Sequence, residues 1–581
     1  MKQVIGVAAT SRNNRAATLL ERTGWCWSGI LANTTPSARS KVASRFLIDR
    51  AATPPRLRRG VLASVAILLM LTAMPVLSQT PPLASLIESG NRTAALARIR
   101  GGANVNEPQP DGTRPVHWAI YKVDYELLGA LIAKKATLNV RNEFGSTPIA
   151  MAAELGDARM VKMLLDAGAE PEGANPDGQT ALMLAIKTGE TAVVETLIKA
   201  GANVNTVERF HKQTPLMWAA AAPRNAGPIV KLLLSKGADV KPRALSTDWP
   251  SQITSEPRAQ YRPVGGLTAL LYAARDGCRD CVDALLTAGA DIDLPTPDGV
   301  TPLMLALDND HNDVAKLLLD RGANPRLWDW WGRTPLYFAV DRKIVSGAAG
   351  RERGGMPSLV SSMDIINTLL SAGVEIDAQL NMHRPSRSGN SGRFIEPLLG
   401  TGCTPLLRAV LGNPFAPPRP PDVEVARLLL SKGANLHIND MGVTPFLVAA
   451  GVNAGHVGGT GLAAEHSGGG TPNMELMDLL LQHGANVNDQ VTGTLTYTMR
   501  IMRAPSANEG RTALHIAALD GKVDLVRYLL SKGANKEIQD AGGLKAIDLA
   551  GSKKPGGNAR PPGAPPADDP AIVAEIRRLL L

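Results

Sequence analysis

Cys278-Arg-Asp-Cys281 is the first place to look for chemistry, because two thiols three residues apart are the pattern of a redox pair. That chemistry needs a strand and a βαβ pattern around the pair, and neither is present here. The two cysteines are therefore expected to pack, with a local disulfide in an oxidising compartment. The nearest approach to a metal constellation is His456, Glu465 and His466, in a Gly-rich stretch. Their spacing matches no standard site, and a loop of that composition orders ligands poorly. They read as solvated surface, and no metal is expected. The chain also lacks a Gly-x-x-x-x-Gly-Lys phosphate loop, a His-Glu-x-x-His pair and a Gly-x-Ser-x-Gly elbow. No catalytic residue and no cofactor follow from it. What remains is non-covalent chemistry. Three of the eight tryptophans fall within Trp328-Asp-Trp-Trp331, just before Gly332-Arg333, and Trp and Arg are the side chains most enriched at binding hot spots.

The elements that position these residues come from a repeated phrase. Gly112-Thr-Arg-Pro-Val-His-Trp-Ala119, Gly145-Ser-Thr-Pro-Ile-Ala-Met-Ala152 and Gly178-Gln-Thr-Ala-Leu-Met-Leu-Ala185 start 33 residues apart, and Thr268, Thr301 and Thr334 open further copies at that interval. A Thr supplies an N-cap hydroxyl, and Pro at the next position loses nothing by lacking an N–H. The Leu and Ala that follow bury one face of a short helix. A second phrase, Val314-Ala-Lys-Leu-Leu-Leu-Asp-Arg-Gly-Ala323, gives a second apolar-faced helix ended by glycine. Leu285 and Leu286, in one such helix, are both expected to pack. A turn then projects towards the next copy. One unit cannot cover its own apolar side, so neighbours must stack.

The chain resembles an ankyrin-repeat protein, whose signature is a 33-residue period with Thr-Pro-Leu-His-x-Ala. The best copy is Gly510-Arg-Thr-Ala-Leu-His-Ile-Ala517, followed by Val526-Arg-Tyr-Leu-Leu-Ser-Lys-Gly-Ala534. About twelve units fit between Pro82 and Leu581. The resemblance implies an all-α solenoid of helix-turn-helix units with β-turn fingers, binding other proteins. It also implies a structural hydrogen-bonding role for His117 and His515. The first unit, the second (Arg114 at the capping Thr position) and the last (Lys545-Ala546) depart from the phrase, as end caps do. Pro-, Gly-, Ser- and Arg-rich insertions interrupt the period at 241–265, 342–362, 378–402, 411–421, 451–472, 489–508 and 551–570.

The formal net charge of +9 misleads. Residues 1–60 hold eleven Lys or Arg and two Asp or Glu, which leaves 51 of each sign in the rest of the chain. A basic leader on a neutral array gives no reason to expect nucleic-acid binding. Arg56-Leu-Arg-Arg59, the apolar run Val61–Met74, Pro75 and Val76-Leu-Ser78 follow the order of a bacterial-looking export signal. Cleavage after Ser78 would release a periplasmic or secreted protein. The alternative is an uncleaved inner-membrane anchor, since residues 61–78 just reach the length of a short spanning helix, and only then would the chain contact a membrane. Residues 1–60 are long for such a leader. Either translation starts later or the extension is disordered.

Carried onto this chain, the positions through which ankyrin fingers and first helices bind are Trp328, Trp330, Trp331 and Arg333 on one finger, with Asp341 and Arg342 at the following helix end. Neighbouring fingers carry polar or small residues there: Asn175-Pro176, Thr296-Pro297 and Asn508-Glu509. Packing of the rings against a neighbouring finger or insertion is the competing reading. The expectation is a monomeric, non-enzymatic scaffold for a protein or peptide partner. A membrane-anchored scaffold, or an enzyme with a site built in the insertions, are the alternatives.

Overall fold

The structure, a computed structural model, describes residues 81–581 except 176, 248–263, 347–357, 381–401, 413–419, 438–441, 453–470, 493–507 and 553–568. The basic leader, the apolar run 61–78 and the His456, Glu465 and His466 group lie outside the described residues. So does most of each insertion. Among the described residues no helix is long and apolar enough to cross a membrane.

Among the described residues, twelve helix pairs follow one another. They are α1 (Leu83–Glu88) with α2 (Arg92–Arg100), α3 (Pro115–Tyr121) with α4 (Tyr125–Ala133), α5 (Pro148–Glu154) with α6 (Ala158–Asp166), and α7 (Ala181–Thr188) with α8 (Thr191–Lys199). Next come α9 (Pro215–Ala221) with α10 (Ala226–Ser235), α11 (Ala269–Arg275) with α12 (Arg279–Thr287), α13 (Pro302–Asp308) with α14 (Asn312–Asp320), and α15 (Pro335–Ser346) with α16 (Ser362–Ser371). The last four are α17 (Pro405–Leu411) with α18 (Val423–Ser431), α19 (Pro445–Ala449) with α20 (Met474–Gln482), α21 (Ala513–Leu519) with α22 (Val523–Ser531), and α23 (Ala546–Leu549) with α24 (Pro570–Leu580).

The capping chemistry is the one the phrase encodes. Thr301 Oγ1 accepts from the Met304 amide at 3.3 Å and Thr404 Oγ1 from Leu407 at 3.1 Å, each with proline at the first helical position. Where Arg114 replaces the threonine, its own amide donates to His117 Nδ1 at 3.0 Å. His515 goes further: Nδ1 takes the Thr512 amide at 3.2 Å, and Nε2 lies 3.1 Å from the Leu544 carbonyl, 29 residues on. Burial lowers the pKa of both imidazoles. Most second helices end in glycine, with Lys135 in that place after α4. Gly322 has φ 89°, and the amides of Gly322 and Ala323 return to Leu319 and Leu318 at 3.0 and 2.9 Å. A Cβ there would meet nothing within 4 Å, so glycine is required by the left-handed backbone and not by space.

The helices fall into two compact units: residues up to Met151 with Met163–Glu170, and Ala152–Lys162 with Pro171–Leu581. In the first, α1 packs on α3 and α2 on α4. In the second, the first helices α7, α9, α11, α13, α15, α17 and α19 each pack on the next. On the other side α8, α10, α12, α14 and α16 do the same. Leu285, Val282 and Cys281 on α12 are fully buried between these rows. Leu286 is only half-buried, against expectation. It sits one residue, about 100°, round the helix from the buried face. Cys278 and Cys281 form a disulfide at the start of α12.

Two insertions begin differently from the loops expected. The one at 241–265 opens and closes as a two-residue antiparallel ribbon, β1 (Ser246–Thr247) with β2 (Val264–Gly265), a small exception to an all-α chain. At 342–362 the first five residues are helix, because α15 runs twelve residues where most first helices have seven.

Candidate functional site

The finger between α14 and α15 is held from inside by Asp329. Its carboxylate accepts from the amides of Trp331 at 3.0 Å and Arg333 at 2.8 Å, and from Arg333 Nε at 2.6 Å. A short polar side chain that closes a turn over its own backbone is what Asp and Asn do best in loops. Asn175 and Asp540 do the same in their fingers, each accepting from amides two and four residues ahead. Burial raises the Asp329 pKa, opposed by Arg333 and the two amides. Above the turn, the Trp330 amide donates to the Asp298 carbonyl of the preceding finger at 2.9 Å.

This turn divides the six candidate residues. Trp328 and Trp330 flank the inward-pointing Asp329 and are 65% and 54% exposed. Trp331 is buried at 3% and Arg333 at 7%, contrary to their expected exposure. The reason is geometric. The turn closes between them, and the residue after the glycine runs under the finger to reach the capping threonine. The Arg333 guanidinium lies against Trp331 at 4.9 Å and Phe338 at 4.2 Å from the ring centroids, while pairing with Asp329. Val300, one unit earlier, is buried in the same place.

Asp341 and Arg342 are also buried, at 2% and 6%, because the lengthened α15 carries them between its neighbours. Asp341 accepts from Arg408 Nε on α17 at 2.6 Å, and Arg408 also donates to the Gly412 carbonyl. Arg342 reaches back to Asp310, with Nε 2.9 Å from Oδ1. Lys343 reaches forward to Asp422 at 2.7 Å and Glu424 at 3.1 Å, at the start of α18. These charges join successive units.

A family profile described as "Ankyrin repeats (3 copies)" matches residues 83–175, 168–244, 254–329, 270–348 and 460–540, more than half of the chain. The chain belongs to the ankyrin-repeat family. A single-repeat ankyrin profile also matches 401–441. Protein phosphatase 1 regulatory subunit 27 from Mus musculus is 31% identical over 104 residues, covering 18% of this chain and 57% of that protein. Its Homo sapiens counterpart is 32% identical over 90 residues, 16% and 48% of the two chains. The ankyrin-repeat chain thus spans about half the length of the curated relatives it matches. Among solved structures, the ankyrin repeat domain of Bcl-3, a member of the IkappaB protein family, is 22% identical with a TM-score of 0.33, covering 45% of this chain and 99% of that one. The human ASB11 ankyrin repeat domain is 25% identical with a TM-score of 0.34, covering 42% and 100%.

The ankyrin frame alone misses other exposed tips, among them Phe210 at 57% and Leu245 at 51%. Phe210 was findable, since it lies 66 residues, two periods, after Phe144, another exposed tip. The frame also mistakes Thr296. It is buried at 7%, and its hydroxyl donates to Asp298 at 2.6 Å, because it occupies the turn-closing place that Asp329 fills one unit later.

Proposed function

We propose that this chain is a non-enzymatic scaffold that recognises a protein or peptide through its fingers, with Trp328 and Trp330 as anchors. The observation that carries this reading is the pair of exposed indoles on a turn fixed from beneath by a buried Asp329–Arg333 pair. Large rings presented on a rigid support lose little entropy on binding. The relatives named as phosphatase regulatory subunits are consistent with work done through another protein, over the part of the chain they match.

Replacing both residues (Trp328→Ser with Trp330→Ser) should leave the melting temperature within about 1 °C, since neither ring is in the core. Partner affinity should fall by at least about thirtyfold, the effect of one hot-spot truncation. Partners recovered by crosslinking from the source cell provide the assay, and Leu359→Ser, an apolar residue 93% exposed off the fingers, is the control. A melted array with retained capture would make these rings packing residues.

The reading includes export, with residues 79–581 as the mature chain. The Arg-rich, apolar, small-residue order of 56–78 supports it. N-terminal sequencing of the protein free of membranes should begin at or near Gln79. Recovery only in membranes, with 61–78 present, would make the chain a tethered scaffold.

A further inference from the structure

The exposed indoles are not isolated. Four consecutive fingers of the second unit present an apolar tip: Phe210, Leu245, Pro297 and Trp330. The tips are physically joined. The Leu245 amide donates to the His211 carbonyl at 2.6 Å, and the Gly266 amide to the Leu245 carbonyl at 3.1 Å. Gly266, with φ +65°, lies so close to Pro297 that a Cβ there would stand 2.8 Å from its ring. Trp330 is then tied to Asp298. The result is a continuous ridge, with cations at its Phe210 end. Arg209 and Lys212 are exposed, while Glu208, just before Arg209, is buried and holds the amides of Phe210 at 2.7 Å and Gln213 at 3.1 Å. Two positive charges therefore face outward at that tip, and the negative one beside them faces inward. Of the other described acids on these fingers, Asp298 takes the Thr296 hydroxyl, Asp239 the Lys241 amide at 2.9 Å, Asp291 the Asp293 amide at 3.1 Å and Asp293 the Asn324 amide at 2.9 Å, while Asp329 is paired with Arg333.

Resting on the finger reading above, we infer that this ridge is a track for an extended acidic peptide with apolar anchors. Packed helices stand about 8–10 Å apart, so the tips recur at about that interval. A polyproline-type or extended strand advances about 3.1–3.4 Å per residue and meets successive tips with every third side chain. A helix would need a groove to lie in, and a row of projecting tips is a ridge. The acidic residues of the peptide face Arg209 and Lys212, and its last apolar anchor reaches Trp330.

The test is selection of a random twelve-residue display library on the full chain. Enriched peptides should be net acidic, with apolar residues at every third position. A synthetic, labelled member should bind about tenfold more weakly after Arg209→Glu with Lys212→Glu, and likewise after Phe210→Ser with Leu245→Ser, at unchanged melting temperature. Reversal of Lys236, exposed at the end of α10, should leave binding unaltered. Failure to enrich, neutral or basic winners, or winners indifferent to both pairs of substitutions would overturn the ridge. If those same winners still require Trp328 and Trp330, the finger reading stands without the ridge. If they require neither, both readings fall.

Discussion

Arg408→Ala should destabilise the second unit by about 3–5 kcal/mol, the usual result of removing one partner from a buried ion pair. Arg408 is the largest fully buried side chain among the described residues, and its removal leaves the Asp341 carboxylate 2% exposed without its guanidinium. The carbonyl of Gly412 loses a donor at the same time. Denaturant midpoints and hydrogen exchange over α15 and α17 should both register the loss. Replacing the pair together by apolar residues of similar size, Asp341→Leu with Arg408→Met, should recover most of it, because nothing charged is then stranded. The comparison decides what Asp341 does. A contact residue would weaken partner binding and leave stability alone. A wild-type midpoint for Arg408→Ala would show that the charges are open to water.

The contrast with Trp328 and Trp330 marks where the sequence stops being informative. Period, caps and glycine stops are local, and each is written in a few adjacent residues, so helix pairs such as α13 with α14 were legible from Thr301, Pro302 and Gly322 alone. The aromatic finger was legible as a cluster, but its sidedness was not. Which of four neighbours points outward depends on the Asp329 turn, and on Arg333 finding both that carboxylate and the ring of Phe338. The burial of Asp341 and Arg342 was hidden for a different reason. A helix of ordinary length would have placed them at its open end. The added turn did leave a signal, since Val340 and Ile344 are four apart and both buried. The partner of Asp341, 67 residues away across two insertions, left none.

Leu285→Ala is the second large effect, and it tests the stacking itself. Leu285 is fully buried on α12, which packs against α10 and α14 as well as its own α11. Truncating a buried leucine costs about 2–5 kcal/mol, more where the surroundings cannot collapse into the void. Here each of the three packed helices is held by its own neighbours, so collapse is limited and the upper half of that range is expected. Leu286→Ala, half-buried one position on, should cost only about 1 kcal/mol. In a quasi-one-dimensional array the damage should stay near its origin. Amide exchange should therefore rise across residues 265–330 and leave α21 and α22 (residues 513–531) nearly as protected as before. Equal costs at the two leucines would mean that the buried face of α12 has been assigned to the wrong side. Loss of protection throughout the chain at once would mean that the units unfold as one body.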